Sequence, residues 1–418
     1  MENLALHELL GQSCRAEVAT VFERYVRGSV LLMLVTAMEE EVTALCGAPY
    51  APSSATFERG GSAPGKMHVG SETVPVARPR VRRKAAGPGR EVPLETYAAG
   101  RDGGTLREAL MRALAAGVSS RDQGPLYPAA AGTSRSQVSR EWVEYGERFV
   151  SALRSRSLAA EDFVVLMLDG VVLSADQVAI VALGITADGR KMMLDMQLGA
   201  SENEEVCADL LRRLVERGFA PRRRLLAILD GAPALSKCVR RQWSDCLVQR
   251  CLVHKERNIR AYLSKRHHGE LGRLFQRLRQ SQGLRQALEV HGQLRAFLKR
   301  VNAQALTSLE EAGEELLAVF MLELPNTLHL SLLSTNCIEN PFRNVRARLG
   351  RVKRWRKTTM AERWLAYGLL TAEKGFRSIA HYRELPHLVR ALEQPAETLE
   401  AAKKKIAAVL DKELDTTK

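Results

Sequence analysis

Apolar residues recur at helical spacing, without an internal proline, from Leu4 to Leu45, and the pattern stops at the Gly- and Pro-rich "CGAPYAP". This predicts a long N-terminal helix. Its apolar run "VLLMLV", Val30 to Val35, is read as a buried helix face and is far too short to span a bilayer. The texture then changes. "ERGGSAPGKMHVG" reads as a loop, and "SETVPVARPRVRRK" alternates as a short strand that becomes basic. Two helical segments follow, "GGTLREALMRALAAGVSS" and "SRSQVSREWVEYGERFV", the second with Ser134 as its cap.

After Glu161 the pattern sharpens. "DFVVLMLDG", "QVAIVALGI" and "KMMLDMQL" are three strands with short links, which predicts an antiparallel meander, the first strand ending at Asp169. An amphipathic helix, "ENEEVCADLLRRLVERG", ends at Gly218. The strand "RRLLAILDG" then ends at Asp230. A helix, a short strand ("CLVQRCLV") and a helix starting near His254 complete the alternation. The expected fold class is α/β, a mixed sheet in the element order of an RNase H-like domain. From Tyr262 to Leu324 nearly everything is helical, as an all-helical insertion would be, until Pro325 breaks the pattern. The expected organisation is an N-terminal helical and basic region (1–100), a helix-turn-helix-like segment (101–158), and a catalytic core in two parts (159–261 and 326–400). The insertion (262–325) separates those parts, and a tail (401–418) ends the chain.

Charge changes the picture next. Sixty-two Lys and Arg against 48 Asp and Glu leave a net +14, which favours a polyanionic partner, nucleic acid first. The cations cluster. Five of the eight residues from Ala77 to Lys84 are basic, including Arg80, Arg82, Arg83 and Lys84. "SRSQVSREW", with Arg135 and Arg140, has the texture of a helix-turn-helix recognition element. "STNCIENPFRNVRARLGRVKRWRK" sets one acid, Glu339, at the head of eight cations, among them Arg343, Arg346, Arg348, Arg351, Lys353 and Arg354. These, with Lys255 and Arg257, are the candidate phosphate contacts. The seven cysteines are irregularly spaced, so reduced thiols and a cytoplasmic setting are expected. The start "MENLALHELL" does not read as a signal peptide.

Asp169 and Asp230 each follow a run of large apolar residues and each precede Gly. Two carboxylates at the carboxyl ends of buried strands are costly unless a cation offsets them, and ligands collect beyond such ends. Hard oxygen donors favour Mg²⁺ or Mn²⁺. The competing reading is a pair of ordinary Asp-Gly turns. Cys251 and His254 form C-x-x-H without a second pair to complete a zinc site. No G-x-S-x-G elbow and no G-x-x-x-x-G-K-[ST] occurs, which argues against a serine hydrolase and against a nucleotide cofactor.

Together, "LMLDG", "AILDGAPAL", "QRCLVHKERN" and "LSTNCIENPFRNVRARLGRVKRWR" resemble the Mutator-type bacterial insertion-sequence transposases. The resemblance runs from about residue 23 to 392 and is densest from 162 to 380. It implies an RNase H-like fold with an Asp-Asp-Glu triad falling on Asp169, Asp230 and Glu339, its C-x-x-H on Cys251 and His254, and the helical insertion before the Glu. It further implies two Mg²⁺ or Mn²⁺ ions, cleavage at element ends and strand transfer of 3′-OH ends. The implied partners are double-stranded DNA, as terminal repeats and target, and a second copy of the chain in a homodimer or higher oligomer; no membrane is implied. Pro341, two residues after Glu339, suits a Glu339 at or just before a helix start. The rival readings are a domesticated DNA-binding protein without catalysis and an RNase H-like nuclease or resolvase without strand transfer.

Overall fold

The computed structural model describes residues 15–69, 72–84, 90–102, 104–126, 133–174, 177–199, 203–349 and 358–415. The chain divides into two compact units, up to Tyr145 and from Gly146 onward.

In the N-terminal unit, helix α1 (Arg15–Cys46) lies against a long antiparallel hairpin, β1 (Phe57–Val69) and β2 (Glu72–Arg83), extended by the short β3 (Glu91–Val92). Met38, Val42 and Cys46 pack on Met67, Val76, Val81 and Leu94. Helices α2 (Glu95–Arg101) and α3 (Gly104–Ala115) follow, and α4 (Arg135–Ser155) carries the chain across the boundary. Ser134 caps α4 as expected, its hydroxyl accepting from the Gln137 N–H at 3.3 Å.

Two expectations fail here. The segment read as a loop is β1. Its glycines and Pro64 weaken strand propensity, but pairing with β2 supplies the missing backbone partners, and Gly61, at φ +76°, takes up a bulge in the register. Nor is "VLLMLV" a buried face: Leu31, Leu34 and Val35 pack inward, whereas Leu32 and Met33 are exposed. A six-residue run covers the whole circumference of a helix, so it cannot lie on one side.

The second unit is built on a five-stranded sheet of β4 (Phe163–Ser174), β5 (Gln177–Thr186), β6 (Lys191–Gly199), β7 (Leu226–Leu229) and β8 (Leu247–Arg250), in the order β8-β7-β4-β5-β6. Strands β4, β5 and β6 form the antiparallel meander, and β7 and β8 add in parallel. Leu166, Leu168, Ile180, Ala227 and Val248 meet helices α5 (Glu204–Glu216) and α6 (Pro233–Gln242) in one core. Asn203 caps α5 through the Val206 N–H, and Gly218 lies just beyond the helix's end at φ +92°.

Helix α7 (Leu252–Ala261) leaves β8 directly, and a helical block follows: α8 (His268–Arg279), α9 (Leu284–Val301) and α10 (Ala303–Glu310), then 3₁₀ turns through Leu322. Helices α11 (Asn326–Leu332), α12 (Asn336–Leu349), α13 (Thr358–Glu373), α14 (Leu385–Leu392) and α15 (Ala396–Asp415) complete the unit. Helix α12 buries Ile338, Phe342, Val345 and Leu349, one stripe at 3.6-residue spacing, and packs beside β4, while α13 packs beside β6.

Candidate active site

Asp169 does not end its strand. Strand β4 runs on to Ser174, with Asp169 paired to Val181 of β5. On its other side, however, the parallel pairing stops at Leu168–Leu229. Asp169 and Asp230 are therefore the next residues in register, one on a continuing strand and the other where β7 gives way to a turn. Side chains alternate along a strand, so Asp169 points away from the Leu166 and Leu168 side of the sheet. The Asp230 carboxylate accepts from the Ala232 N–H at 3.0 Å and fixes that turn. Glu339 comes from the first turn of α12, more than a hundred residues downstream. Pro341 lies inside α12, past the first turn, where it removes the N–H that would have met the Cys337 carbonyl.

Asp169 is 4% exposed, and its carboxyl is pushed up to about 7. Burial is the main cause; the His254 charge works against it, and the Asp230 and Glu339 carboxylates add to the rise. The three acids thus share one electrostatic neighbourhood. Among the described residues, no three His, Cys, Asp or Glu side chains already converge on one ion-sized position.

The C-x-x-H pair sits against the same acids. Cys251 caps α7, its Sγ accepting from the His254 N–H at 3.5 Å. The same sulfur accepts from the backbone N–H and the hydroxyl of Thr335, each at 3.4 Å. Thr335 also bonds His254 Nδ1 and Glu339 Oε1, both at 3.3 Å, and His254 Nε2 lies 3.3 Å from Glu339 Oε1. Cys251, His254 and Thr335 therefore join the start of α7 to the start of α12, and so hold Glu339. Hydrogen bonding to Cys251 keeps His254 at about 9 despite burial, with the charges of Cys251, Asp169 and Glu339 in support. Burial pushes the Cys251 thiol up, but its bonds to His254 and Thr335 leave it below the ordinary thiol value.

A second network holds the Asp230 turn. Arg250, nearly buried at the end of β8, donates to the Gly231 carbonyl at 3.0 Å, to Glu311 at 3.1 Å and to Glu315 at 2.8 Å. Gly231 stands at φ +117°, and a Cβ there would come within 2.8 Å of Arg250 Nη1. Only glycine fits.

The candidate phosphate contacts divide. Lys255 is 2% exposed, and its ammonium ends on the Ser308 carbonyl and Glu311, so it does not face solvent as the sequence reading expects. Its amphipathic stem is drawn inward by a carboxylate that no local pattern announces. Arg80 is spent on Glu91, and Lys84 donates to the Ser54 carbonyl at 2.7 Å. Arg82 is half-buried, and Arg83 is exposed. Arg135 and Arg140 are exposed on α4, Arg257 on α7, and Arg343 and Arg346 on α12. Arg348 belongs to α12. Arg351, Lys353 and Arg354 lie outside the described residues. Sequence reasoning missed Thr335 and Arg250. The signal for Thr335 was its place four residues, one helical turn, before Glu339; Arg250 gave none, since its carboxylate partners lie more than sixty residues away.

A family model described as the Mutator family of transposases matches residues 3–378. A transposase for insertion sequence element IS6120 of Mycolicibacterium smegmatis is 31% identical over 285 residues, 65% of this chain and 84% of the relative. One for IS905 of Lactococcus lactis is 24% identical over 328 residues, 76% of this chain and 81% of the relative. One for IS256 in transposon Tn4001 of Staphylococcus aureus is 24% identical over 278 residues, covering 63% and 69%. Among the described residues, no helix is long and apolar enough to cross a membrane.

Proposed function

This chain belongs to the Mutator family of transposases, and from that premise we propose that it cuts DNA at the ends of an insertion sequence and joins the freed 3′ ends to target DNA, with Asp169, Asp230 and Glu339 as its catalytic carboxylates. The observation that carries the reading is the register of Asp169 beside Asp230, with Glu339 close enough to raise Asp169. The strand order, a meander with two parallel strands added at one edge, supports an RNase H-like domain, with the helical block from Tyr262 to Leu324 as its insertion.

The donor set suits hard divalent cations, Mg²⁺ or Mn²⁺. Burial, with the Asp230 and Glu339 charges adding to it, raises the Asp169 carboxyl, a cost that a cation would offset, and oxygen donors of this kind need no nitrogen or sulfur ligand beside them. Bound there, such ions supply charge neutralisation at phosphorus and a nucleophile at neutral pH. The chain's own residues do the rest. Arg250 and Gly231 hold the Asp230 turn, Cys251 and Thr335 hold Glu339, and the His254 imidazolium faces the scissile phosphate. Arg343 and Arg346 lie along the DNA backbone. In cleavage the water oxygen bonds to phosphorus as the bond to the 3′ oxygen breaks, leaving a 3′-OH and a 5′-phosphate; in transfer that 3′ oxygen, losing its proton, bonds to a target phosphorus as the target's own bond from phosphorus to its 3′ oxygen breaks, leaving a 3′-OH on the target strand.

Asp169→Asn, Asp230→Asn and Glu339→Gln should each abolish cleavage of an end-bearing duplex in Mg²⁺ while leaving duplex affinity nearly unchanged. Near wild-type cleavage by any one of them removes that residue from the set. Pre-cleaved ends supplied to the wild type separate strand transfer from hydrolysis alone.

A further inference from the structure

A groove of about 560 Å³ opens among α7, α8, α11 and the start of α12. Its walls include Val253 of α7, Gln276 and Gln280 of α8, His329 and Leu330 of α11, and Asn336 of α12. Two short links join it to the candidate active site. Val253 precedes His254, and Asn336 follows Thr335, whose hydroxyl touches both His254 and Glu339.

The polarity of the groove narrows what it can take. Its one cationic wall residue, Arg279, is paired with Glu256 at 3.0 Å, and Glu256 also holds Arg260. The remaining polar groups are neutral amides, a hydroxyl and an imidazole. A phosphate would find no uncommitted charge among them. The apolar side chains of Val253, Leu330 and Leu333 suit the faces of a planar ring, and the amides suit its polar edge.

His329 is the second, independent sign. It is 2% exposed, yet neither ring nitrogen has a hydrogen-bond partner among the described residues. Its ring stands edge-on to Phe320, with centroids 5.1 Å apart. Burial holds its pKa below the ordinary value, so the imidazole is neutral and offers one donor and one acceptor. A fully orphaned buried imidazole is rare and asks for a partner that arrives later.

We propose that this groove receives an unstacked nucleobase of the DNA strand held at the carboxylates, and that His329 and the neighbouring amides read its edge. Enzymes that work on a duplex take a base out of the stack into a pocket of this chemistry, with apolar contacts to its faces and hydrogen bonds to its edge. The inference rests on the proposed DNA-cleaving function, but its test does not depend on cleavage.

The probe is a duplex carrying the terminal repeat of the element that encodes the chain, with 2-aminopurine placed in turn at each base flanking the cut. The wild-type full-length protein, in Ca²⁺ to hold the complex before cleavage, should raise the fluorescence several-fold at one position. His329→Leu, compared at a protein concentration that saturates the duplex, should unfold at the same or a higher temperature, since it removes an unsatisfied buried polar group. It should lose the fluorescence rise. An abasic nucleotide at that position should restore any cleavage the variant loses in Mg²⁺. No rise at any position with wild type, or an undiminished rise with His329→Leu, overturns the proposal. A rise with wild type that fails to cut in Mg²⁺ instead counts against the catalytic reading and leaves the groove assignment standing.

Discussion

The smallest scale at which the site can be tested is one sulfur atom. Cys251 Sγ is wholly buried and accepts from two backbone N–H groups, that of His254 in α7 and that of Thr335 at the head of α12, with the Thr335 hydroxyl, whose one proton it shares with Glu339, also at 3.4 Å. No bridging is needed to make it structural; it is an acceptor that fastens two helix starts together. Cys251→Ala leaves those donors unsatisfied and should cost about 2 kcal/mol of stability, read as a lower urea midpoint with unchanged slope. Cys251→Ser retains an acceptor and should recover part of that loss. An alanine variant as stable as the wild type removes the sulfur from this role. The pattern C-x-x-H was visible in the sequence. That its cysteine turns toward Thr335 was not, because the partner lies 84 residues away. The same distance effect separates the readable from the unreadable among the cations. Lys255 and Arg257 looked alike in "HKERN", but the Glu311 carboxylate, just past the end of α10, takes Lys255 inside and leaves Arg257 in solvent.

Among the elements, the sheet was legible because buried strands are runs of large apolar residues bounded by turns, and the meander, α5 and the strand ending at Asp230 appear where those signals stand. Strand β1 was not legible, since its glycines and proline argue locally for a loop and only β2 overrules them. Asp169 was read as a strand end, and that reading needs correcting: its strand continues, and what ends beside it is the parallel neighbour. The helical block offers a test of an element's own stability. His291 of α9 is 3% exposed, and burial, helped by the Arg295 charge, pulls it down from 6.5 to about 4. The folded state therefore holds the neutral ring where the unfolded chain would bind a proton. That contribution is fully present above pH 6.5 and is lost as pH falls from 6.5 through 4. The loss approaches about 3 kcal/mol at the acid end. Asp169, raised to about 7, works the other way over the same window, so the readout is the difference between wild type and His291→Leu, which share it: the wild type should lose stability relative to the variant as pH falls from 6.5 to 4. A difference in urea midpoints that does not change with pH contradicts this.

For the whole molecule, the net +14 overstates what is free to meet DNA. Much of the basic charge in the N-terminal unit is already committed: Arg78 and Arg80 to Glu91, Arg59 to Glu39, and Arg90 to Glu58. The sequence showed a basic edge there but could not show the acids that meet it. Arg343 and Arg346 differ. They are exposed on α12 outside its buried stripe, Arg346 lying over the Phe342 ring at 5.9 Å from its centroid, and neither has an ion pair among the described residues. Each cation that neutralises a phosphate releases counterions and steepens the salt dependence of binding by about 0.9 on a log–log plot. Replacing Arg343 and Arg346 together by Ala should therefore flatten the slope by roughly 1.8, and weaken binding most at low salt. Arg80→Ala, whose charge is spent on Glu91, should change the slope far less. Affinities measured by fluorescence anisotropy over a salt series decide between them. If Arg80→Ala flattens the slope and the α12 pair leaves it unchanged, the hairpin and not the glutamate-bearing helix carries the backbone contact, and the coupling of Glu339 to the arginines beside it is lost.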